Sequence, residues 1–291
     1  MRNKTAEGLR QTVFMGPAII VFAIVVFFPF IYGIYFSMTD WNGISIGHSW
    51  VGLDNYKYLL KDTDFLRAFW LTARIAVVIT LLMNIAGFGV ALLLTRKLRY
   101  RNLYRTAFFL PNVLGGLVLG FVWQFIFTKG FELIGEKTGW TLFGIPWLGN
   151  STTAFWALVI VSVWQGMGYV MVIYITGLSG ISTELLEAAQ VDRASTWVIL
   201  TRIKLPLIMS SITVCLFWTI NVAFKIFDLN ISLTNGGPFR STEFVTLNIY
   251  NEAFRNSNFG LGSAKAVTFF IAVALITSIQ AYLTKRKEVE A

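Results

Sequence analysis

Few side chains in this 291-residue sequence are able to do chemistry, and their spacing excludes most catalysis. His48 is the only histidine and Cys215 the only cysteine. No metal-ligand set and no Ser–His–Asp arrangement can be built around one of each. Gly130-Phe-Glu-Leu-Ile-Gly135-Glu136-Lys137-Thr138 comes nearest to a phosphate loop. It fails because that motif needs Gly directly before Lys-Ser/Thr, and Glu136 intervenes. The chain is therefore expected to be no enzyme and to hold no metal or cofactor. What remains is a scatter of uncharged polar groups in apolar sequence. Ser162, Gln165, Gly166 and Tyr169 recur at i, i+3, i+4 and i+7, one face of a helix, with Trp164 nearby. Such a face suits a carbohydrate: an aromatic ring packs on the apolar side of a pyranose while amide and hydroxyl groups bond its hydroxyls. Thr219, Asn221, Lys225 and Asp228 form a second group, in which Lys225 either snorkels or pairs with Asp228. Arg74, Asn84 and Gln124 are weaker candidates. Gly116 and Gly120 read as a small-xxx-small helix contact, and Trp123 as packing.

These groups need elements that hold them, and the composition says which. Apolar residues make up 56% and charged residues 13% of the chain, and mean hydropathy is +0.65. A soluble domain is nearer 45–50% and about 25%, so a cytosolic enzyme, a disordered chain and a disulfide-stapled domain are excluded. Six runs reach the ~20 apolar residues that cross a bilayer: 14–38, 69–95, 106–128, 154–178, 206–226 and 264–284. Continuous runs of this length read as helices, since a barrel would need ~10-residue alternating stretches. The fold class is thus an all-α membrane protein of six transmembrane helices. The first run is too long for a signal peptide and reads as a retained span.

Lys and Arg orient the spans. Three lie in the N-terminus, five in 96–105, three in 179–205 and three in the 285–291 tail, fourteen in all. The alternate connections, 39–68, 129–153 and 227–263, hold seven between them over longer stretches. Both termini are therefore expected in the cytoplasm, flanking one six-helix transmembrane domain over 14–284. The net charge of +9 is accounted for by topology, and no nucleic acid is needed.

The 179–205 connection is too organised for a tether. Thr183–Asp192 reads as an amphipathic helix with Ser182 as N-cap, and Ser195 as cap of a second helix over 196–204, before Pro206 opens the next span. Ala188 and Ala189 give a small-residue face, and Glu187 beside them suits a cation on another protein. An interfacial helix resting on lipid headgroups fits equally well.

The string Glu187-Ala188-Ala189, then Asp192, Ala194, Ser195, Trp197, Ile203 and Leu205-Pro206, resembles the EAA loop of binding-protein-dependent ABC importer permeases. Leu110-Pro111, Trp123, Phe227-Asp228, and Leu233-Thr234-Asn235-Gly236-Gly237-Pro238 with Thr242 resemble the carbohydrate branch, the maltose and multiple-sugar permeases. The likeness runs over about residues 12–287. It implies a passive subunit paired with a second homologous permease, driven by two cytoplasmic ATPase subunits that hold the ATP and Mg²⁺. It further implies an extracytoplasmic solute-binding protein that delivers a sugar. On this resemblance Glu187, Ala188, Ala189, Asp192 and Arg193 couple to an ATPase. Asn235, Gly236, Gly237 and Pro238 either meet the binding protein or form no more than a tight loop. Ser162, Gln165, Gly166, Tyr169 and Thr219 fall on substrate positions of the maltose-type permease. Ala223 and Ile226 fall on others but are apolar, which argues against simple maltose specificity. Arg193 stands where the family has Gly; either it bends the chain at a steric cost or Ala194 and Ser195 absorb the turn.

Two other functions fit the same residues. One is the same machinery importing a polyol, glycerol phosphate or another small solute; the other is an ATP-independent transporter or channel. The latter would show broken helices and ionisable relays at mid-membrane, which the sequence does not display.

Overall fold

The computed structural model describes residues 4–96 and 98–286, with side chains from residue 13 onward. Arg2, Lys97 and Lys287, which enter the charge count, and most of the 285–291 tail lie outside the described residues. The described residues are helical, with one isolated β-bridge, Thr39 to Trp50, and no strand. Five helices are long and apolar enough to cross a bilayer: α1 (Val13–Phe36), α2 (Thr63–Leu94), α4 (Gly116–Thr138), α5 (Ser151–Ser179) and α10 (Phe259–Lys285). A sixth span is a bent pair, α7 (Thr196–Leu207) and α8 (Met209–Phe224), at 72° to each other. The remaining helices that matter are α3 (Arg101–Val113), α6 (Thr183–Val191) and α9 (Asp228–Leu233).

Two expectations are corrected. The continuous third span over 106–128 is two helices, α3 and α4, interrupted at Leu114 and Gly115, both extended (ψ 132° and 137°). Pro111 has no N–H to give its preceding turn, and Gly115-Gly116 adds freedom to the chain just beyond. The helix then runs on to Thr138, with Gly139 left-handed at its end (φ 69°). The segment resembling a phosphate loop is therefore helical, and its N–H groups bond within the helix. Pro206, expected to open the fifth span, instead lies inside α7. The bend falls two residues later at Ile208, and α8 begins at Met209.

The chain divides into two compact units. Unit one comprises 1–65 and 249–270. There the C-terminal end of α1 meets the start of α10 through aromatic rings: Phe36 stacks on Trp41 (4.3 Å between centroids), and Trp41 meets Phe259 edge-on (5.0 Å). Gly260 is required beside them, since a Cβ there would come within 2.1 Å of the Thr39 carbonyl oxygen. One turn further, Lys265 is 1% exposed and held between Asp62 (2.9 Å) and Glu252 (2.8 Å). Asp62 caps α2, accepting from the N–H groups of Asp64 and Phe65. Burial would raise its carboxyl, but the Lys265 ammonium and the two N–H donors outweigh that and hold it below its ordinary range.

Unit two comprises 66–248 and 271–291 and is built around α5. Glycines let the backbones approach: Gly168 lies against the Phe108 carbonyl of α3, Gly87 of α2 against Val170, and Gly177 against Ser211. Gly116 and Gly120, the expected small-residue contact, meet Asp228 and Ser232 of α9. Arg74 lies over the Phe155 ring at 5.2 Å, and Trp123 packs edge-on against Trp164 at 5.5 Å.

Candidate functional site

Three places carry the residues singled out by sequence. The first is a cavity of ≈ 220 Å³ in unit two. Asn112, Ser162, Gln165, Gly166 and Trp218 line it, and the rest of its wall is aliphatic. Ser162, Gln165 and Gly166 reach it from one face of α5, as their spacing requires. The Ser162 hydroxyl is buried and has no hydrogen-bond partner, a donor and acceptor left open beside the cavity. Gln165 donates from Nε2 to the Leu114 carbonyl at the break between α3 and α4 (3.0 Å). Gly166 faces the end of the Met83 side chain, which would have to shift to admit a Cβ. No charged residue lines the cavity among the described residues.

Tyr169 does not line this space. Its ring lies 4.4 Å from that of Trp218, tilted by 32°, so it backs the aromatic wall. Thr219 is further removed. Fully buried, it donates to the Cys215 carbonyl (2.8 Å) and accepts from Asn84 Nδ2 (3.0 Å), while Tyr174 donates to Asn84 Oδ1 (2.7 Å). The structure thus places Thr219 in a polar pin joining α2, α5 and α8. Asn84 does its work there as well. Asn221 returns its amide to the Phe217 carbonyl, and Lys225, exposed at the end of α8, makes no ion pair with Asp228. Asn112 and Trp218 are cavity residues that sequence reasoning missed. Asn112 lies in the last turn of α3, and only the helix break gives it a role. Trp218 sits beside Thr219 in an apolar run where an aromatic residue carries no signal.

The second place is the 179–205 loop. Helix α6 forms, although Ser182 makes no side-chain cap bond: its hydroxyl accepts from no N–H of the first turn. Ser195 does cap α7, accepting from Val198 N–H at 3.3 Å. Between them Arg193 itself takes the left-handed conformation, φ 54°. The Ala194 N–H reaches back to the Ala189 carbonyl (2.9 Å) and the Arg193 N–H to Gln190 (3.0 Å), the paired bonds of a helix C-cap normally made with glycine. Ala189 is buried; Glu187, Ala188, Asp192 and Arg193 are exposed, and Glu187 has no ion-pair partner among the described residues. Val191 and Trp197 point outward as well, 82% and 71% exposed.

The third place is the turn after α9. Asn235 (φ 47°) and Gly236 (φ 80°) are left-handed, the Gly237–Pro238 peptide is cis, and Phe239 and Arg240 are again left-handed. Asn230 and Thr242 fasten the turn from within: Asn230 Nδ2 donates to the Thr242 carbonyl (2.8 Å), and the Thr242 hydroxyl to the Gly237 carbonyl (2.6 Å). Phe239 stands 94% exposed at its tip.

Residues 83–289 match the family model described as the binding-protein-dependent transport system inner membrane component. A probable starch degradation products transport system permease protein of Thermoanaerobacterium thermosulfurigenes is 46% identical over 98% of this chain and 97% of that one. A multiple sugar-binding transport system permease protein of Streptococcus mutans is 29% identical over 95% of each. In fold, the chain is similar to a bacterial alginate ABC transporter solved with an alginate pentasaccharide-bound periplasmic protein. The TM-score is 0.82 at 19% identity, covering 97% of this chain and 96% of that one. The six-span helical architecture and the family match agree, and the chain belongs to the inner-membrane permease components of binding-protein-dependent ABC transport systems.

Proposed function

We propose that this permease carries a neutral saccharide, with Asn112, Ser162 and Trp218 touching the sugar inside the membrane. The cavity carries this reading. It offers the Asn112 amide, an unpartnered hydroxyl and an indole face backed by Tyr169, and no charged side chain among the described residues. Hydroxyls of a sugar would meet donors and acceptors there, whereas a carboxylate or phosphate would enter an apolar space without a cation. The same absence of cations speaks against glycerol phosphate. The names of the starch-product and multiple-sugar relatives point the same way. Thr219 is assigned to packing, and Tyr169 to support of Trp218.

The coupling half of the proposal puts both termini and the 179–205 loop in the cytoplasm, as the Lys and Arg distribution favours. Glu187, Ala188, Asp192 and Arg193, with exposed Val191 and Trp197, meet one of two ATPase subunits, which bind ATP and Mg²⁺. Rigid α6 and α7 carry ATPase closure into α8 through the bend at Ile208. A second homologous permease completes the path. The fastened turn at Asn235, Gly236, Gly237 and Pro238 receives an extracytoplasmic solute-binding protein. The test is uptake by cells carrying or lacking this chain, offered a labelled neutral malto-oligosaccharide or an oligouronide of similar length. Chain-dependent uptake of the neutral sugar alone is expected. Uptake of the acidic sugar in its place would overturn the assignment.

A further inference from the structure

The break in the third span has a single side chain fastened to it, and that side chain lies in the cavity. We propose that Gln165 is a positioning residue whose amide holds the chain broken at Leu114–Gly115, and that this break sets the saccharide cavity. The inference rests on the proposed function for its ligand but not for its geometry. In an unbroken helix the Leu114 carbonyl would accept from Val118 N–H. Here Leu114 and Gly115 are extended, α4 restarts with Leu119 N–H on the Gly115 carbonyl, and the Leu114 carbonyl is left within the span. A carbonyl so placed needs a donor from protein or from water in the cavity, because lipid supplies none. Gln165 Nε2 is that donor, at 3.0 Å.

Helix α3 is fixed on α5 at a second point on the same face, three residues on, where Gly168 lies against the Phe108 carbonyl. Two contacts therefore seat the end of α3, one of backbone on backbone and one through Gln165. Seated this way, Asn112 in the last turn of α3 is brought to the cavity that Trp218 also lines. The division of labour follows from hydrogen-bond capacity. Nε2 of Gln165 is committed to the backbone, and the Ser162 hydroxyl, which has no partner, is free for the ligand. If the bond is lost, the Leu114 carbonyl has to be satisfied otherwise, most simply by closing the break into continuous helix, which carries Asn112 away.

Gln165→Glu and Gln165→Met separate this role from direct sugar binding. An ionised carboxylate accepts readily from sugar hydroxyls but cannot donate to a carbonyl; once protonated it can. Asp228 lies against Gly116 beside the break, so the introduced carboxyl titrates next to one carboxylate and in an apolar wall, both of which raise its pKa. Two readouts apply: amide exchange over 107–125 in the sugar-free full chain in lipid nanodiscs, and saccharide uptake in cells, each between about pH 5 and 9.5 and relative to the unsubstituted chain. The positioning role predicts that Gln165→Met changes exchange at 114–119 by about tenfold or more at every pH, with a matching loss of uptake. Gln165→Glu follows it where the carboxyl is ionised and returns toward the unsubstituted chain where it is protonated. A pH-independent Gln165→Glu profile, or unchanged sugar-free exchange in Gln165→Met, overturns the proposal. Should the unsubstituted chain take up no saccharide, the exchange arm still decides the role of Gln165, and only the sugar assignment fails.

Discussion

Replacing Arg193 by Gly should stabilise the 179–205 loop, and the magnitude follows from one dihedral angle. Arg193 sits at φ 54° just past the end of α6, with the Ala194 N–H 2.9 Å from the Ala189 carbonyl oxygen. A side chain with a Cβ is disfavoured in that conformation by about 1–2 kcal/mol. Glycine escapes this, but ordering it costs roughly 0.5–1 kcal/mol more than an ordinary residue. The balance is a gain of about 0.5–1 kcal/mol, or opening of the Ala194 N–H slowed about two- to fivefold. Arg193→Ala removes the charge and keeps the Cβ, so it should leave that rate unchanged; Arg193→Asn should fall between, because Asn tolerates the left-handed region. Hydrogen exchange across 183–195 in the full chain measures all three. If Gly exchanges no more slowly than Ala, the cap is not strained and the reasoning fails. The same variants divide backbone from charge in transport. If the guanidinium touches the ATPase, Gly and Ala lose uptake alike, although only Gly stabilises the loop.

Trp218→Leu removes the aromatic wall and the partner of Tyr169, and uptake should fall about tenfold or more, measured against unchanged membrane levels. Asn84→Leu leaves the Tyr174 hydroxyl without its acceptor and should lower stability by about 1–3 kcal/mol in thermal unfolding. Lys265→Met strands Asp62 and Glu252 in a buried site; a loss of about 3–5 kcal/mol is expected, seen as a lower melting temperature. Because the folded Asp62 carboxyl titrates below its unfolded value, its contribution is fully present above about pH 4 and disappears as pH falls through the folded value. The stability difference between the unsubstituted chain and Asp62→Asn should therefore be flat from neutrality to about pH 4 and shrink below it.

The six spans, the organised 179–205 loop and the face bearing Ser162, Gln165 and Gly166 were legible because each rests on local pattern: apolar length, cap residues, helical spacing. What escaped depends on partners distant in sequence. Hydropathy cannot see the break at Leu114, since its unpaired carbonyl is answered by Gln165, 51 positions on. Thr219 matched a substrate position by counting, yet Asn84 and Tyr174 draw it into packing. Lys265 lies within the apolar run 264–284, while its partners Asp62 and Glu252 come from outside that run. At Arg193 the sequence showed a residue ill suited to the turn but not which residue would bear it; the structure puts φ 54° on Arg193 itself.

The central claim is that a neutral saccharide passes through this chain and that the energy enters through one loop. Proteoliposomes assembled from this permease with the proposed second permease and ATPase pair, with the proposed binding protein outside and ATP supplied on the side of the 179–205 loop, test it directly. Labelled malto-oligosaccharide should accumulate only with ATP, and Glu187→Lys should abolish accumulation while the chain still inserts. Accumulation without ATP by this chain alone, or undiminished accumulation with Glu187→Lys, would contradict the account.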